Sequence, residues 1–446
     1  MKQATGERNV PGRCGILFAS PYREASVIAL ARAAAARNLL TRFYTTYYTG
    51  RVATIAQRLG PRTPWRAIVD TIQRRSFPSL PASSVRSVAS TSEAVHVLAR
   101  KIPATRHLAP RVMHWAKRRF DERVAAQVGT CDADVAVGLL QSSLKTLHAA
   151  RSAGLTAVLN FVNSHPAHHN IVLRELGALS PDHHEMIPAA AVDRAERELE
   201  AADLVLVPSR FVARQLVTRG IPESRLLVHP YGVDLDTFHP CAHPKRNAGP
   251  LHCLFVGNVS HTKGVPVLLD AVRKLPSKAV ELTLVGAVPT PSLLRRLPAN
   301  ATWVPPQPSD QIAAMMRRAD VLLVPSLDDA CPLVALEGLA SGLAVVVSDH
   351  CGAAELIADG IDGLCVPAGD SDTLAAAMSR LAEDRPLLAR LGRAARARAT
   401  ELTWDRFAEA VLTRLAPAHF ALASSRHRCV GCAMSSHGKG AKEDHR

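Results

Sequence analysis

The sequence predicts an α/β protein built from two Rossmann-like domains, and three observations support this fold class. Short β-branched runs alternate with alanine-rich helical stretches from about residue 13, which is the pattern of parallel βαβ units. The pattern restarts after a turn-rich and proline-rich segment at 230–250, which is typical of a linker. A chain of 446 residues is also too long for one ordinary core, so length alone indicates more than one domain.

The first predicted domain covers residues 1–240 and contains apolar runs of strand length separated by helical stretches. Its runs are GILFAS at 15–20, DVAVGLL at 134–140, TAVLNFVN at 156–163 and DLVLVPS at 203–209. Between about 50 and 130 the alternation gives way to a basic segment punctuated by serine and proline. We interpret this segment as a helical insertion or cap.

The second predicted domain covers residues 241–415 and repeats the pattern. Its strand-like runs are LHCLFVG at 251–257, VELTLVG at 280–286, ATWVPP at 301–306, VLLVPS at 321–326 and LAVVVSD at 343–349. Ligands bind beyond the carboxyl ends of strands in open parallel sheets, so we expect a functional cleft between the domains. Residues 416–446 are polar and rich in histidine, and we expect a disordered tail there.

Composition and charge limit the classes of partner and the compartment. The formal net charge of +15 favours phosphorylated ligands or anionic surfaces, whereas 4% aromatic residues and the lack of zinc-finger spacing predict no specific nucleic-acid binding. The apolar runs are shorter than the roughly 18 residues that span a bilayer, and the first residues do not resemble a signal peptide. With nine irregularly spaced cysteines, which fit reduced thiols, we expect a cytoplasmic protein.

The loop VGNVSHTKG at 256–264 follows the first strand of the second predicted domain. Gly257 and Gly264 let backbone amides approach a ligand, and the helix after the loop presents its positive end to an anion. Lys263 would add an ammonium, so the loop predicts a phosphate site. A solvated turn with an exposed lysine is the alternative.

The stretch DACPLVALE at 329–337 places two acids, Asp329 and Glu337, around small and apolar residues. It joins a predicted buried strand at 321–325 to a helix that begins near Leu333, so both carboxylates would lie at the carboxyl end of the strand. Paired carboxylates suit acid–base chemistry or hydrogen bonding to sugar hydroxyls. Alternatively, Glu337 favours the helix dipole and Asp329 is a solvated loop acid.

A set of segments resembles one family over about 155–410. They are PYGVDLDTF, FVGNVSHTKGVPVLLDAV, ADVLLVPSLDDACPLVALEGLASGLAVVVSD and GAAELIADGIDGLCVPAGD. In this order they resemble the retaining, nucleotide-sugar-dependent glycosyltransferases of the GT-B fold, called group 1 or family 4. The resemblance implies two Rossmann-like domains, with the donor bound mainly by the C-terminal domain and the acceptor by the N-terminal one.

The resemblance also implies roles for individual residues. The spaced acids of the family fall on Asp329, beside the transferred sugar, and on Glu337, which accepts hydrogen bonds from the ribose. A family histidine near the sugar is matched by His165, for which a capping or core role is the alternative. The implied catalytic residues are therefore Asp329, Lys263 and His165, and the implied donor-binding residues are Gly257, Asn258, Lys263, Leu333, Val334 and Glu337.

This chain departs from the family pattern at three places. Asn258 stands where the family carries an arginine, so only Lys263 of the basic pair remains. Asp329 replaces the usual glutamate. The glycine-rich loop that commonly follows the first strand is replaced by ASPYREAS at 19–26.

The predicted function is transfer of a hexose from a nucleotide-diphosphate donor to a hydroxyl group of a glycan, lipid or small metabolite, with retention of anomeric configuration. Retention in this family is usually explained by front-face attack of the acceptor, with the leaving phosphate acting as base. The resemblance implies no metal or cofactor. The alternatives are a degenerate GT-B protein that binds a sugar nucleotide without catalysis, a GT-B sugar-nucleotide epimerase and a phosphorylase.

Other motifs add little evidence for a metal. The strings DAD at 132–134 and DLD at 234–236 lack further converging oxygen ligands. Cys429 and Cys432, with two histidines nearby, form half a zinc site. We therefore predict no metal site.

The segment RVMHWAKRRFDERVAAQV at 111–128 predicts an amphipathic helix. Its apolar residues recur at steps of four: Val112, Ala116, Phe120, Val124 and Val128. Such a helix either lies on an anionic membrane surface, near a lipid-linked acceptor, or packs on the domain.

Overall fold

A computed structural model describes residues 14–48, 77, 79–101, 105, 108–175, 185–241 and 249–417 of the chain. These residues form two parallel sheets with helices packed on both faces. Most of the predicted insertion before residue 79 and the tail from residue 418 lie outside the described residues, as do Cys429 and Cys432.

The first sheet has seven described strands in the order β3-β2-β1-β4-β5-β6-β7. The strands are β1 (Ile16–Ala19), β2 (Leu40–Thr45), β3 (Val85–Ser87), β4 (Val135–Leu139), β5 (Thr156–Asn160), β6 (Leu204–Val207) and β7 (Leu226–Val228). The helices are α1 (Ala25–Ala36), α2 (Ser90–Lys101), α3 (Ala109–Val128), α4 (Leu144–Ser152), α5 (Pro166–Glu175), α6 (Ala189–Ala201) and α7 (Arg210–Val217). The strand order reverses between β1 and β4, which makes this pair the switch point of the sheet.

The second sheet has six described strands in the order β10-β9-β8-β11-β12-β13. The strands are β8 (Leu251–Val256), β9 (Val280–Val285), β10 (Ala301–Val304), β11 (Val321–Val324), β12 (Ala344–Ser348) and β13 (Leu364–Val366). The helices are α8 (Val265–Arg273), α9 (Ser309–Arg318), α10 (Leu333–Ala340), α11 (Ser371–Glu383), α12 (Arg385–Ala399) and α13 (Trp404–Leu415). Here the switch point lies between β8 and β11.

The central strands are largely apolar because both faces of each sheet are covered there, whereas the edge strand β3 (VRS) is mostly exposed. Every residue of β4 and of β12 is buried, as parallel sheets between two helical layers require. Successive side chains of β1 enter different cores: Ile16 and Phe18 pack in one, and Leu17 and Ala19 in another. The alternation of side chains across a strand thus fixes both layers.

The last helix crosses back onto the first domain. Helix α13 packs against α1, and Arg32 Nη2 lies 2.7 Å from Asp405 Oδ1. The chain enters α13 tightly: a Cβ atom on Gly232 would lie 2.1 Å from the backbone nitrogen of Trp404. The sequence assigns α13 to the second domain by its position in the chain, whereas in the structure it lies against a helix of the first.

The predicted amphipathic helix forms as α3, and most of its apolar stripe is buried. Ala116, Phe120, Val124 and Val128 are each at most 4% exposed, which matches the alternative that this stripe packs on the domain. Trp115 points away from the core and is 43% exposed. Membrane contact stays a prediction; no helix in the described ranges has the length and apolarity to cross a bilayer.

Candidate functional site

The candidate donor site lies at the switch point of the second sheet. Because β8 and β11 are neighbours, the loops at 257–264 and 325–332 leave the sheet side by side at its carboxyl edge. The backbone amide of Leu327 donates a hydrogen bond of 2.8 Å to the carbonyl oxygen of Thr262. The two motifs that carry the resemblance are therefore parts of one surface.

Gly264 allows this close approach. Its φ of +70° is in the left-handed region, and a Cβ atom there would lie 1.8 Å from the carbonyl oxygen of Pro325. Both the conformation and the contact require glycine. The position immediately before it holds Lys263.

Lys263 and Asp329 form an ion pair between Nζ and Oδ2. Ser326 Oγ donates a further hydrogen bond of 3.3 Å to the same carboxylate oxygen. The lysine side chain is 31% exposed and that of Asp329 11% exposed. Burial alone would lower the pKa of Lys263, but the neighbouring Asp329 charge outweighs it and raises this pKa. The structure thus brings together two of the predicted catalytic residues.

The backbone of Asp329 is held on both sides. Its amide donates to the carbonyl oxygen of His350 at 3.1 Å, and its carbonyl oxygen accepts from the amide of Gly352 at 2.9 Å. Ladder-like bonds of this kind fix the direction of the side chain. Asp329 is therefore not a solvated loop acid, which was the alternative that the sequence left open.

Glu337 lies on α10, one turn beyond the helix start. The first turn of α10 contains no acid, so the helix-dipole alternative does not account for this residue. Its side chain has no hydrogen-bond or ion-pair partner among the residues that the structure describes, and burial raises its pKa to about 7. A half-buried carboxylate without a partner is suited to accept hydrogen bonds from a ligand.

The remaining predicted donor-binding residues line the same edge. Leu333 and Val334 open α10, whose N-cap residue Pro332 makes no side-chain cap. No capping side chain therefore competes with an anion for the first amides of the helix. The amide of Gly257 is bonded to the carbonyl oxygen of Val285 at 2.9 Å. Asn258 is exposed beside it.

A carboxylate of the first domain binds the loop at 256–264, here called the phosphate loop after its predicted ligand. Glu185 accepts hydrogen bonds from the amides of His261 at 2.8 Å and Thr262 at 2.7 Å, and from Thr262 Oγ1 at 2.5 Å. Burial alone would raise the pKa of Glu185, but these bonds hold it below its usual value. The loop that the sequence predicts to bind phosphate therefore does bind an anion, which in this structure is a protein carboxylate.

His169 makes a second contact between the domains. Its Nδ1 lies 2.8 Å from Asp328 Oδ2, and its Nε2 lies 3.1 Å from the carbonyl oxygen of Glu185. Both partners are acceptors, so both ring nitrogens carry hydrogen in this arrangement. Burial disfavours the charge, but the Asp328 hydrogen bond and charge prevail and raise the pKa of His169. Sequence reasoning missed this residue and Glu185; the pair His168–His169, one turn after His165, was the available signal.

The structure does not bring His165 to Asp329 and Lys263. Its side chain is fully buried, its Nδ1 accepts from the amide of Ala167 at 3.2 Å, and its ring stacks on Phe161. Burial lowers its pKa to about 3. These surroundings are those of the core or capping histidine that the sequence left open as the alternative.

The segments DAD at 132–134 and DLD at 234–236 contain aspartates that accept hydrogen bonds from nearby backbone and side-chain groups. Asp134 accepts a bond from the amide of Gly15 at 2.8 Å, and Asp234 accepts from the amide of Asp236 at 3.0 Å and from Thr237 Oγ1 at 2.8 Å. Within the described residues no three His, Cys, Asp or Glu side chains converge to hold a metal ion. The absence of a metal requirement stays a prediction.

Comparison with known proteins supports the resemblance for the second domain. Residues 242–398 match the family model described as "Glycosyl transferases group 1". The chain is 31% identical over 251 residues to a D-inositol 3-phosphate glycosyltransferase of Nocardia farcinica, covering 50% of this chain and 55% of that protein. It is 33% identical over 247 residues to the one of Pseudarthrobacter chlorophenolicus, covering 51% and 56%. The chain thus spans about half the length of the curated relatives it matches.

Solved structures confirm the fold across both domains. Sucrose-phosphate synthase from Thermosynechococcus elongatus matches with a TM-score of 0.67 at 20% identity, covering 92% of this chain and 100% of that one. Anabaena HepE in complex with UDP matches with a TM-score of 0.60 at 16% identity, covering 91% and 100%. At these identities the likeness concerns the fold alone, and it confirms the predicted GT-B arrangement of two Rossmann-like domains.

Proposed function

We propose that this chain, whose residues 242–398 match the family model described as "Glycosyl transferases group 1", transfers a sugar from a nucleoside diphosphate to a hydroxyl acceptor. The observation that carries the proposal is the ion pair of Lys263 with Asp329 at the switch point of the second sheet, followed on α10 by Glu337, which has no partner among the described residues. This edge is where open α/β sheets bind nucleotides.

Each of these side chains has a distinct part in donor binding. Glu337 would accept hydrogen bonds from the ribose, because its carboxylate is half-buried and lacks a protein partner among the described residues. The uncapped start of α10 and Lys263 would bind the diphosphate. Asp329 would accept bonds from hydroxyls of the transferred sugar once the lysine turns to the phosphate.

Lys263 also stabilises the leaving group. A cation about 4 Å from the phosphate contributes roughly 4 kcal/mol of gross attraction at an effective dielectric near 20. Only the part that grows in the transition state raises the rate, and about 1.4 kcal/mol is a factor of ten. We propose retention of configuration, with the leaving phosphate taking the proton of the acceptor hydroxyl; neither a metal nor a cofactor is then needed.

The relatives suggest a phosphorylated polyol as one acceptor class. By their names, the curated relatives act on D-inositol 3-phosphate. Because they match over only about half their length, the acceptor of this chain has to be inferred from its own first domain. A cytoplasmic location, with or without peripheral contact with an anionic membrane, stays a prediction.

Release of nucleoside diphosphate tests the proposal. The full chain is incubated with UDP-, GDP-, ADP- and TDP-sugars, with and without a lysate of lipid and glycan acceptors, and the products are identified by mass spectrometry. We expect one donor to be consumed with transfer of its sugar, and Lys263→Ala to lose this activity while Lys278→Ala, an exposed lysine of the same domain, keeps it. Failure of every donor to bind or react would reject the proposal.

Binding without catalysis is the second candidate, and Asn258 favours it. This exposed residue stands where the family carries an arginine, so one of the two cations near the diphosphate is missing. A chain that binds a nucleotide sugar in a thermal-shift assay but releases no nucleoside diphosphate, even by slow hydrolysis, would identify this candidate. Recovery of turnover in Asn258→Arg would then locate the defect.

A further inference from the structure

The first domain contains a cationic cavity of about 340 Å³ at the carboxyl end of β4. Gln141, directly after β4, forms one wall. One turn-spaced face of α3 and the beginning of α6 form the others: Arg111, His114, Trp115, Arg118, Pro188, Ala190, Ala191 and Arg194. The cavity thus lies at the switch point of the first sheet, where ligands of open α/β sheets bind.

The positive charge of this cavity is only partly compensated by the protein. Arg194 is paired with the buried carboxylates of Asp121 at 2.7 Å and Glu198 at 3.1 Å. Arg111 and Arg118 form no ion pair with any residue that the structure describes, and no lining residue is an acid. Cations without an ionic partner that line one cavity raise its positive potential, which favours the binding of an anion.

Burial lowers the pKa values of two titratable groups near the cavity, and neighbouring positive charges lower them further. Burial, and then the charges of Lys117, Arg118 and Arg194, lower the pKa of His114. Burial lowers the pKa of Lys117 as well, and the attraction of Glu198 offsets this only in part. Neutralising the cavity with an anion would relieve these repulsions.

The walls of the cavity are held in place before any ligand binds. Gln141 has a φ of +68°, a conformation that costs a non-glycine residue free energy. Its amide donates to Glu198 Oε2 at 2.5 Å and its Nε2 donates to the carbonyl oxygen of Ala191 at 2.6 Å. Its Oε1 is buried without a hydrogen-bond partner among the described residues, which leaves an acceptor for a ligand hydroxyl.

The cavity adjoins the candidate donor site through one short segment. Glu185 binds the phosphate loop of the second domain, and Pro188, three residues later, lines the cavity. A molecule in the cavity is therefore on the side of the first domain that faces the donor loops. This is the place that a glycosyl acceptor has to occupy.

We infer that this cavity binds the phosphate group of the acceptor, with the guanidinium groups of Arg111, Arg118 and Arg194 contacting its oxygens and Trp115 packing against the adjoining ring or chain. Planar guanidinium groups match phosphate oxygens in pairs, and the uncompensated pair on α3 supplies the charge. The inference rests on the proposed function, because it names the acceptor class of the same reaction. The phosphate belongs either to a soluble phosphate ester or to a lipid headgroup.

Binding of glycerol 3-phosphate and of vesicles tests the inference. Full-length chain is titrated with glycerol 3-phosphate and, as the uncharged match, with glycerol; in parallel it is sedimented with vesicles of phosphatidylglycerol or of phosphatidylcholine. We expect saturable binding either of glycerol 3-phosphate, with none of glycerol, or of phosphatidylglycerol vesicles, with none of phosphatidylcholine vesicles. The glycerol 3-phosphate arm identifies a soluble acceptor, and the phosphatidylglycerol arm a lipid one.

The matched variants are Arg111→Gln with Arg118→Gln, and Arg390→Gln with Arg393→Gln as control. Both pairs lower the net charge equally, and all four side chains belong to exposed residues. We expect the first pair to weaken the phosphate-bearing ligand about tenfold or more and the control pair to leave it unchanged. Thermal shifts with nucleotides should be the same in both pairs, so a failure of donor binding is distinguishable. Equal loss in both pairs, or binding in neither arm, would overturn the inference.

Discussion

The two switch points of this molecule treat their charges in opposite ways. In the second domain, Lys263 is paired with Asp329 and the phosphate-loop amides with Glu185, so the protein itself satisfies most of the donor site. In the first domain, Arg111 and Arg118 have no ionic partner among the described residues. Similar edges of two Rossmann-like sheets thus carry one largely compensated set of charges and one set in which only Arg194 is compensated.

The difference indicates how each site gains from its ligand. A compensated site has to exchange partners when a ligand arrives, so affinity is limited by the pairs that break. An uncompensated site gains the full attraction, but is destabilised by repulsion until then. The compensated site can be perturbed at its ion pair, at its backbone, at its acid without a partner and at its contact with the other domain.

Removing Lys263 should have the largest effect. In Lys263→Ala the leaving phosphate loses its cation and Asp329 loses its partner, so we expect kcat/KM for the donor to fall roughly 100- to 1000-fold. Steady-state release of nucleoside diphosphate measures this, with Lys278→Ala as the matched control. A loss shared equally by the control would show that the pair is not the source of catalysis.

Gly264→Ala should disturb the same site through the backbone. The new Cβ atom would lie 1.8 Å from the carbonyl oxygen of Pro325, at a φ of +70° that alanine rarely adopts. We expect the free energy of unfolding to fall by about 2 kcal/mol or more, measured by urea denaturation. Gly360→Ala is the matched control, because its φ is +74° and its Cβ atom would meet nothing within 4 Å. Equal losses in both variants would assign the effect to φ alone.

Sequence patterns placed Lys263 and Asp329 in loops after two predicted strands, but not the contacts between the domains that surround them. The structure makes those two strands neighbours, which brings the two side chains together. Glu185 and His169 reach their partners only through the packing of one domain on the other, which local patterns do not encode. The cationic cavity likewise combines α3 with the start of α6, and the return of α13 to the first domain depends on tertiary contacts alone.

Glu337 differs from the other charged groups of this site because it has no partner among the described residues, and its ionisation should make nucleotide affinity depend on pH. Burial raises its pKa to about 7, and in the proposed function it is the ionised form that would accept hydrogen bonds from the ribose. Donor-nucleotide affinity should therefore rise with pH up to about 7, by at most about tenfold per pH unit for one proton, and level off above. Isothermal titration of the cognate nucleoside diphosphate from pH 5.5 to 8.5 measures this.

Substitution of Glu337 distinguishes its protonation from that of other groups that titrate in the same pH range. Glu337→Gln should bind the nucleotide about tenfold more weakly at pH 8 and lack the rise between pH 5.5 and 7. Glu409→Gln, an exposed acid on α13, should keep the wild-type profile. A rise that persists in Glu337→Gln would have to come from another group, such as the phosphate of the ligand.

His169 should give the smallest effect, through the contact between the domains. Asp328 and the carbonyl group of Glu185 hold the imidazolium and raise its pKa above the usual 6.5. A raised folded-state pKa contributes stability below 6.5, and this contribution is lost as pH rises through the folded value. The free energy of unfolding of the wild type should therefore decline above pH 6.5, by no more than about 1.4 kcal/mol per pH unit. His169→Gln should remove that part of the slope, and His148→Gln, at an exposed histidine of α4, should not. Identical slopes in the wild type and His169→Gln would mean that the contact forms without the proton, and that compensation between the domains rests on Glu185 alone.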